Sequence, residues 1–377
     1  MMNTSPLATS LAHAELQRLS GAPDRAPHHL LPILQRALPF DTGYLMVVDP
    51  LSDWPTALET LGVAPAEQAT WFLTHPMLTG GMSALAAMAR SRRHVLRLTH
   101  RAGDDLIREA HPLQPRGARL HGSELRAAFA HRGMLWGAAS LLRRPGGQAF
   151  DERDAALLEE IAPLITGILH AGVLRHDMPA RNAPEHAEPG QPENHHRPGV
   201  LSIRRDGTVT LLTPAVRHWL QQITASQEHH LRGGLPDIIW LAVATLEQSQ
   251  GGSGTPGPVV HVQSQSGIWL TIEAFHAPAA TGDVMVVIGP SSPDEIVELR
   301  ERLYGLSERE RQIAELVIRG HSTRQISDGL SIAESTVQGH LTHIFDKMQV
   351  GSRRALVQRL LIDQLFPGTA PGAPARH

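Results

Sequence analysis

Thr336, His340, His343 and Lys347 follow one another at intervals of four, three and four residues. On a helix they share one stripe of hydrogen-bond donors that ends in a cation. Val337, Leu341, Ile344 and Met348 make a second, apolar stripe, and Ser335, Gln338 and Thr342 fall opposite it, with Gly339 beside Gln338. A helix that is apolar behind and short-polar in front fits the major groove of DNA. Its amide and hydroxyl side chains can meet base edges, and flanking donors can meet phosphate oxygens. The expected base-reading residues are Gln338, Gly339 and Thr342. The expected phosphate contacts are Ser335, Thr336, His340, His343, Lys347 and, just downstream, Arg353.

Lys347 is singular, since lysine occurs once among 34 basic residues. A Walker A loop needs a lysine for its phosphates and a Schiff-base enzyme needs a lysine amine, so neither chemistry is available to residues 1–346. Asp104 and Asp105 could form the acidic pair of a phosphorylated receiver. That reading also requires a lysine at a strand end, and it is rejected. Cysteine is absent, which removes disulfides, thiolate nucleophiles and Cys-ligated zinc.

The histidine pairs His28-His29, His195-His196 and His229-His230 are read as solvated loop residues, so no metal site is expected. Trp71, Trp136, Trp219, Trp240 and Trp269 are read as core. No nucleophile, base and orienter stand together in the sequence; no catalytic residue and no cofactor are expected.

The elements that must position the reading helix surround it. Ser307 followed by Glu310, and Ser322 followed by Gln325, are capping boxes that open two helices, the first closed by Gly320. Leu330-Ser331-Ile332 turns the chain into the reading helix, and Ser352 caps a fourth helix, Arg353–Leu365, whose leucines exceed one buried stripe. Ala333 stands where a capping hydroxyl is favoured, a loss of about 1 kcal/mol. Gly339 inside the helix costs on the order of 1 kcal/mol against Ala.

The 377 residues allow two or three domains. With 41% hydrophobic residues and a net charge of −3, no basic balance advertises nucleic acid, so DNA binding must be local. The segment from Arg319 to Arg359 carries that local excess: Arg319, Arg324, Lys347, Arg353, Arg354 and Arg359 against Asp328, Glu334 and Asp346. The first 25 residues lack a basic stretch before an apolar core, and no run of about 18 apolar residues is found. A cytoplasmic protein without membrane partners is expected.

Upstream, residues 11–175 read as helices over Leu11–Leu19 and Leu30–Leu38 and a buried strand from Gly43. Strands Glu124–Ala130 and Met134–Leu142 follow, joined at His131-Arg132-Gly133, and then a long helix from Glu152 to Arg175. In that helix Leu157, Ile161, Leu164 and Ile168 form one stripe. Leu158, Ile165 and Leu169 form another beside it, and this excess width could pair two protomers. Residues 178–198 are a proline-rich linker. Residues 199–290 read as two strands, short helices and three strands; residues 292–303 as a connector helix; residues 367–377 as a disordered tail.

The C-terminal pattern resembles the LuxR/FixJ/NarL-type helix-turn-helix. Leu306, Arg309, Glu310, Gly320, Ser322, Ile326, Leu330, Ile332, Thr336, Val337, His340, Lys347, Val350 and Arg353 match it, and Gln338 replaces the usual lysine. The resemblance implies an all-α four-helix domain over residues 304–366 that binds DNA as a dimer on an inverted repeat, with its fourth helix at the dimer contact. Residues 124–175 resemble the end of a GAF domain, and residues 199–290 resemble a PAS-type domain by strand order and Asp206-Gly207.

An α+β multidomain chain is expected: a GAF-like unit at 11–175, a PAS-like unit at 199–290, then the helix-turn-helix. These point to a homodimeric regulator of transcription that binds double-stranded DNA and responds to a small-molecule effector or a partner. A scaffold of dimerising sensor-like folds is a second reading, and an enzyme with an accessory DNA module a third.

Overall fold

In the computed structural model of the protein, the described residues are 6–21, 26–63, 81–91, 93–99, 122–144, 146–177, 197–204, 206–224, 231–232, 235–248, 258–277 and 283–362. The expected linker up to residue 196, the expected tail, Trp71, Asp104, Asp105, His195, His196, His229 and His230 lie outside them.

Helices α1 (Pro6–Ser20), α2 (Ala26–Ala37), α3 (Gly81–Arg90) and α4 (Glu152–Asp177) enclose a five-stranded antiparallel sheet. Its strands are β1 (Thr42–Val48), β2 (Pro55–Leu61), β3 (Val95–Thr99), β4 (Ser123–His131) and β5 (Met134–Arg143), in spatial order β2-β1-β5-β4-β3. Both faces are covered, so the central strands are buried almost throughout rather than alternating. Leu125, Ala127, Phe129, Trp136, Ala139 and Leu141 face α1, α2 and α4; Ala128, Leu135, Ala138 and Leu142 face α3. At Gly137 a Cβ would stand 2.6 Å from both the Leu169 side chain and the Met46 carbonyl, so only glycine lets α4 cross there. The β4–β5 hairpin turns on Arg132 (φ 53) and Gly133 (φ 77), the two left-handed positions of a type I′ turn.

The second stripe of α4 does not wait for a partner. Leu158, Ile165 and Leu169 lie with Leu157, Ile161 and Ile168 in one core that also takes Ala12 and Leu16 of α1 and Leu30 and Leu34 of α2. The excess apolar width is thus used within the chain. By length and composition α4 could also cross a membrane; here its apolar faces are core. His28 and His29, expected on a loop, begin α2, with His29 exposed.

The second unit runs β6 (Gly199–Ile203), β7 (Val209–Leu212), α5 (Pro214–Thr224), the short hairpin β8 (Leu231–Arg232) and β9 (Leu235–Pro236), α6 (Asp237–Gln248), β10 (Val259–Gln263), β11 (Trp269–His276) and β12 (Val284–Pro290). Its main sheet is antiparallel in the order β10-β11-β12-β6-β7. Trp219, Ile238, Ile239 and Ala242 of α5 and α6 pack on Leu201, Leu270, Ile272, Val286 and Ile288.

The two units meet at α7 (Pro293–Leu303), which Ser292 opens with a capping box closed by Glu295. Ile296, Leu299 and Leu303 of α7, with Trp269 of β11, sink into the core of the first unit. The polar joint is Asp49, at the end of β1. Its Oδ2 accepts from the backbone N–H of His261 at 3.0 Å and from His261 Nδ1 at 2.8 Å, while His261 Nε2 lies 3.5 Å from Glu295 Oε1. Burial disfavours the imidazolium, yet the Asp49 hydrogen bond and charge, joined by Glu295, more than offset it, and the His261 pKa is raised. Further along α7, Arg302 donates to Pro50 O (3.1 Å), and His170 of α4 donates to Leu303 O (2.8 Å).

Candidate nucleic-acid interface

Four helical segments follow: α8 (Glu308–Ile318), α9 (Thr323–Leu330), α10 (Glu334–Met348) and α11 (Arg353–Val357), the last continuing as a π-helical turn over Gln358–Ile362. Ser307 and Ser322 each accept from the backbone N–H three residues on, and Glu310 and Gln325 return the bond, so both capping boxes form. Gly320 (φ 83) takes the left-handed position after α8. Ser331 (φ 53) makes the tight turn between α9 and α10. Ala333 opens α10 with no side-chain cap, and Gln349 ends it in the left-handed region.

Val337, Leu341, Ile344 and Met348 of α10 are buried with Ile313, Ala314, Val317, Ile326, Leu356 and Leu360. This core fixes the opposite side of α10 outward. Ser335, Thr336, Gln338, Gly339, Thr342 and His343 are exposed, and His340 is half-buried. Gln338 Nε2 donates to Thr323 Oγ1 at 3.2 Å, and Thr342 Oγ1 donates to Gln338 O at 3.1 Å. At Gly339 an added Cβ would meet nothing within 4 Å.

Lys347 is placed differently from expectation. Its ammonium donates to Glu310 Oε2 at 2.5 Å and to Gly305 O at 3.0 Å, and its side chain is only 27% exposed. Glu310 Oε2 also takes the Ser307 N–H at 2.7 Å. Burial pushes the Glu310 carboxyl up, but Lys347 and Ser307 outweigh it and hold the pKa below the usual carboxylate value. Lys347 therefore clamps α10 to the start of α8, whereas the sequence placed it free on the phosphate flank.

Arg353 is likewise turned inward. Its Nη1 donates to His321 O at 3.1 Å, while Nε and Nη2 are buried rather than presented to solvent. Arg309 likewise reaches inward, to Leu330 O at 3.0 Å. Sequence reasoning on one helix could not see these partners, because Glu310 stands 37 residues before Lys347 and His321 stands 32 before Arg353. Of the cations between Arg319 and Arg359, those left on the outside are Arg319, Arg324 and Arg354. Arg324, next to the Thr323 that touches Gln338, was not singled out by its sequence, which offers only a lone arginine in a short helix.

Leu356 and Leu360 are fully buried, Arg359 donates to the Tyr304 hydroxyl (2.7 Å from Nη2), and Arg300 of α7 donates to Arg359 O at 2.5 Å. From the sheet side, Arg132 in the β4–β5 turn donates to Gly305 O at 2.9 Å. So α7 serves both the first core and the helical domain.

With this geometry in hand, the family model GerE, described as bacterial regulatory proteins of the luxR family, matches residues 305–360. The C-terminal segment is a LuxR-family helix-turn-helix domain. Curated relatives match over stretches of similar length. TodT, a response regulator protein of Pseudomonas putida, is 38% identical over 68 residues, which is 18% of this chain and 30% of TodT. DegU, a transcriptional regulatory protein of Brevibacillus brevis, is 39% identical over 61 residues, 16% of this chain and 26% of its own length. The chain thus spans less than a third of these two relatives, and the likeness covers less than a fifth of this chain. Among solved structures, the GAF domain/HD domain protein from Geobacter sulfurreducens is 18% identical over 42% of this chain and 98% of its own, with a TM-score of 0.32. So low a score carries no argument, and the sheet architecture ahead of the LuxR-family domain stands on its strand order.

Proposed function

We propose that the chain is a sequence-specific DNA-binding regulator of transcription, with α10 entering the major groove. One observation carries this reading: in a LuxR-family domain, Ser335, Thr336, Gln338, Gly339, Thr342 and His343 form an exposed polar face backed by four buried apolar residues of the same helix. Gln338, Gly339 and Thr342 read bases, while Ser335, Thr336, His340 and His343 meet phosphates. Arg324 joins the phosphate set in place of Lys347 and Arg353.

The antiparallel five-stranded sheets and their helical covers support reading the two upstream units as sensor-type folds, GAF-like and PAS-like, that respond to a small ligand or a partner. Their output would pass through α7, whose side chains belong to both the first core and the helical domain. An effector acts only by favouring one packing of α7 over another. The regulator works as a homodimer on an inverted repeat.

Selection of duplexes by the full chain from a randomised double-stranded pool tests the reading. Enrichment of an inverted repeat is expected, and a pool returned without enrichment overturns it. Arg324→Ala should weaken all enriched sequences alike and reduce the salt slope by about one, the share of a single phosphate neutralised by that side chain.

A further inference from the structure

Gln338 is not free on the reading face. Its Nε2 is held at 3.2 Å by the hydroxyl of Thr323, a residue of the first turn of α9, outside the reading helix. One turn further along α10, the Thr342 hydroxyl donates to Gln338 O. Both side chains assigned to base reading are therefore held in place before any DNA arrives.

We propose that Thr323 is a positioning residue for base reading: its hydroxyl holds the Gln338 carboxamide in one orientation and so sets the preference at the base pair that Gln338 meets. This rests on the reading of α10 as the groove-entering helix. A glutamine has three side-chain torsions, and fixing such a side chain costs rotamer freedom. A tether in the free protein removes part of that cost beforehand. With one Nε2 hydrogen committed to Thr323, the amide presents its second N–H and Oε1, one donor beside one acceptor. That pair matches the major-groove edge of adenine, which offers N7 as acceptor and N6–H as donor, whereas guanine offers two acceptors. Thr342 has its hydroxyl hydrogen committed to Gln338 O. It presents a methyl group and lone pairs, which suit the C5-methyl of thymine. The favoured ligand is a duplex with an A·T pair under Gln338.

The test uses the full chain, a randomised duplex pool, and the variants Gln338→Ala, Thr323→Val and Thr323→Ser. Gln338→Ala identifies the position read, by erasing preference there. Thr323→Val, close in shape and lacking the hydroxyl, should cut the A·T preference at that same position by roughly three- to tenfold, the effect of about one hydrogen bond. Other positions should be unchanged, and affinity for duplexes with a different pair at that position should stay within about twofold. Thr323→Ser should keep the wild-type profile, which separates the hydroxyl from any packing effect. A Thr323→Val profile like the wild type, or a loss spread evenly over all positions, overturns the proposal while leaving the groove reading intact. No change of preference in Gln338→Ala overturns the groove role of Gln338 and the proposal with it.

Discussion

The Lys347 ammonium and the Glu310 carboxylate meet at 2.5 Å between the end of α10 and the start of α8, and the same carboxylate oxygen closes the Ser307 capping box. One oxygen thus serves helix initiation and helix docking together. Glu310 is 4% exposed, so removing the cation would leave a buried carboxylate held by backbone N–H alone. Lys347→Met should lower the stability of the helical domain by about 1–3 kcal/mol, the cost of leaving such a group partly unpaired. Thermal melting should show the loss, while the salt dependence of DNA binding by the remaining folded protein should keep its slope. A lowered slope with an unchanged melt would restore Lys347 to the phosphate contacts.

The helical domain was legible in the sequence because its signals are local. Ser307 with Glu310 and Ser322 with Gln325 need a spacing of three residues, and the stripes of α10 need only helical period. The Arg132-Gly133 turn was equally local. β2, α3 and β3 were missed for a matching reason. β2 is a sheet-edge strand with a single fully buried residue beyond its first, Leu58, and so shows no alternation. α3 carries small residues, Ala84, Ala86, Ala87 and Ala89, in place of a leucine stripe. What no local pattern could supply were the distant partners: Asp49 for His261, 212 residues away, and Arg300 of α7 for the Arg359 carbonyl in the turn after α11.

The Asp49–His261–Glu295 joint should make stability depend on pH. The groups facing the imidazole are Asp49 at 2.8 Å and Glu295 at 3.5 Å, both acidic, and the folded pKa of His261 is raised above 6.5. The stabilisation is complete below that unfolded value and is lost as pH rises through the folded one. Melting of the full chain between about pH 6 and pH 8 should therefore fall with pH. His261→Gln should remove that component of the slope; an unaltered slope would mean that the imidazole is neutral throughout.

Glu301 of α7 gives a separate pH signature. Burial first, then the charges of Glu315, Glu298 and Glu308 against the opposing Arg311, push its carboxyl up to about 8, and its Oε1 is buried with no hydrogen-bond partner among the described residues. The neutral acid is stabilising below its unfolded value of 4.5, and that contribution disappears as pH rises through about 8. Glu301→Gln mimics the protonated form. It should melt like the wild type near pH 5 and above it near pH 9, and equal melting at both would place the carboxylate in water.

Gly339 separates folding from binding most cleanly. It lies inside α10, where glycine costs on the order of 1 kcal/mol against alanine, and none of the described residues stands within 4 Å of the position a Cβ would take. Gly339→Ala should therefore raise the melting temperature of the helical domain. If α10 lies against the bases at this point, the methyl group fills the space the backbone needs. Affinity for an enriched duplex should then fall on the order of tenfold, equivalent to about 1.4 kcal/mol. The two effects have opposite signs, so a destabilised fold cannot imitate the result. A variant that is more stable and binds as tightly as the wild type would move the base contacts away from Gly339, to the Gln338 and Thr342 side chains alone.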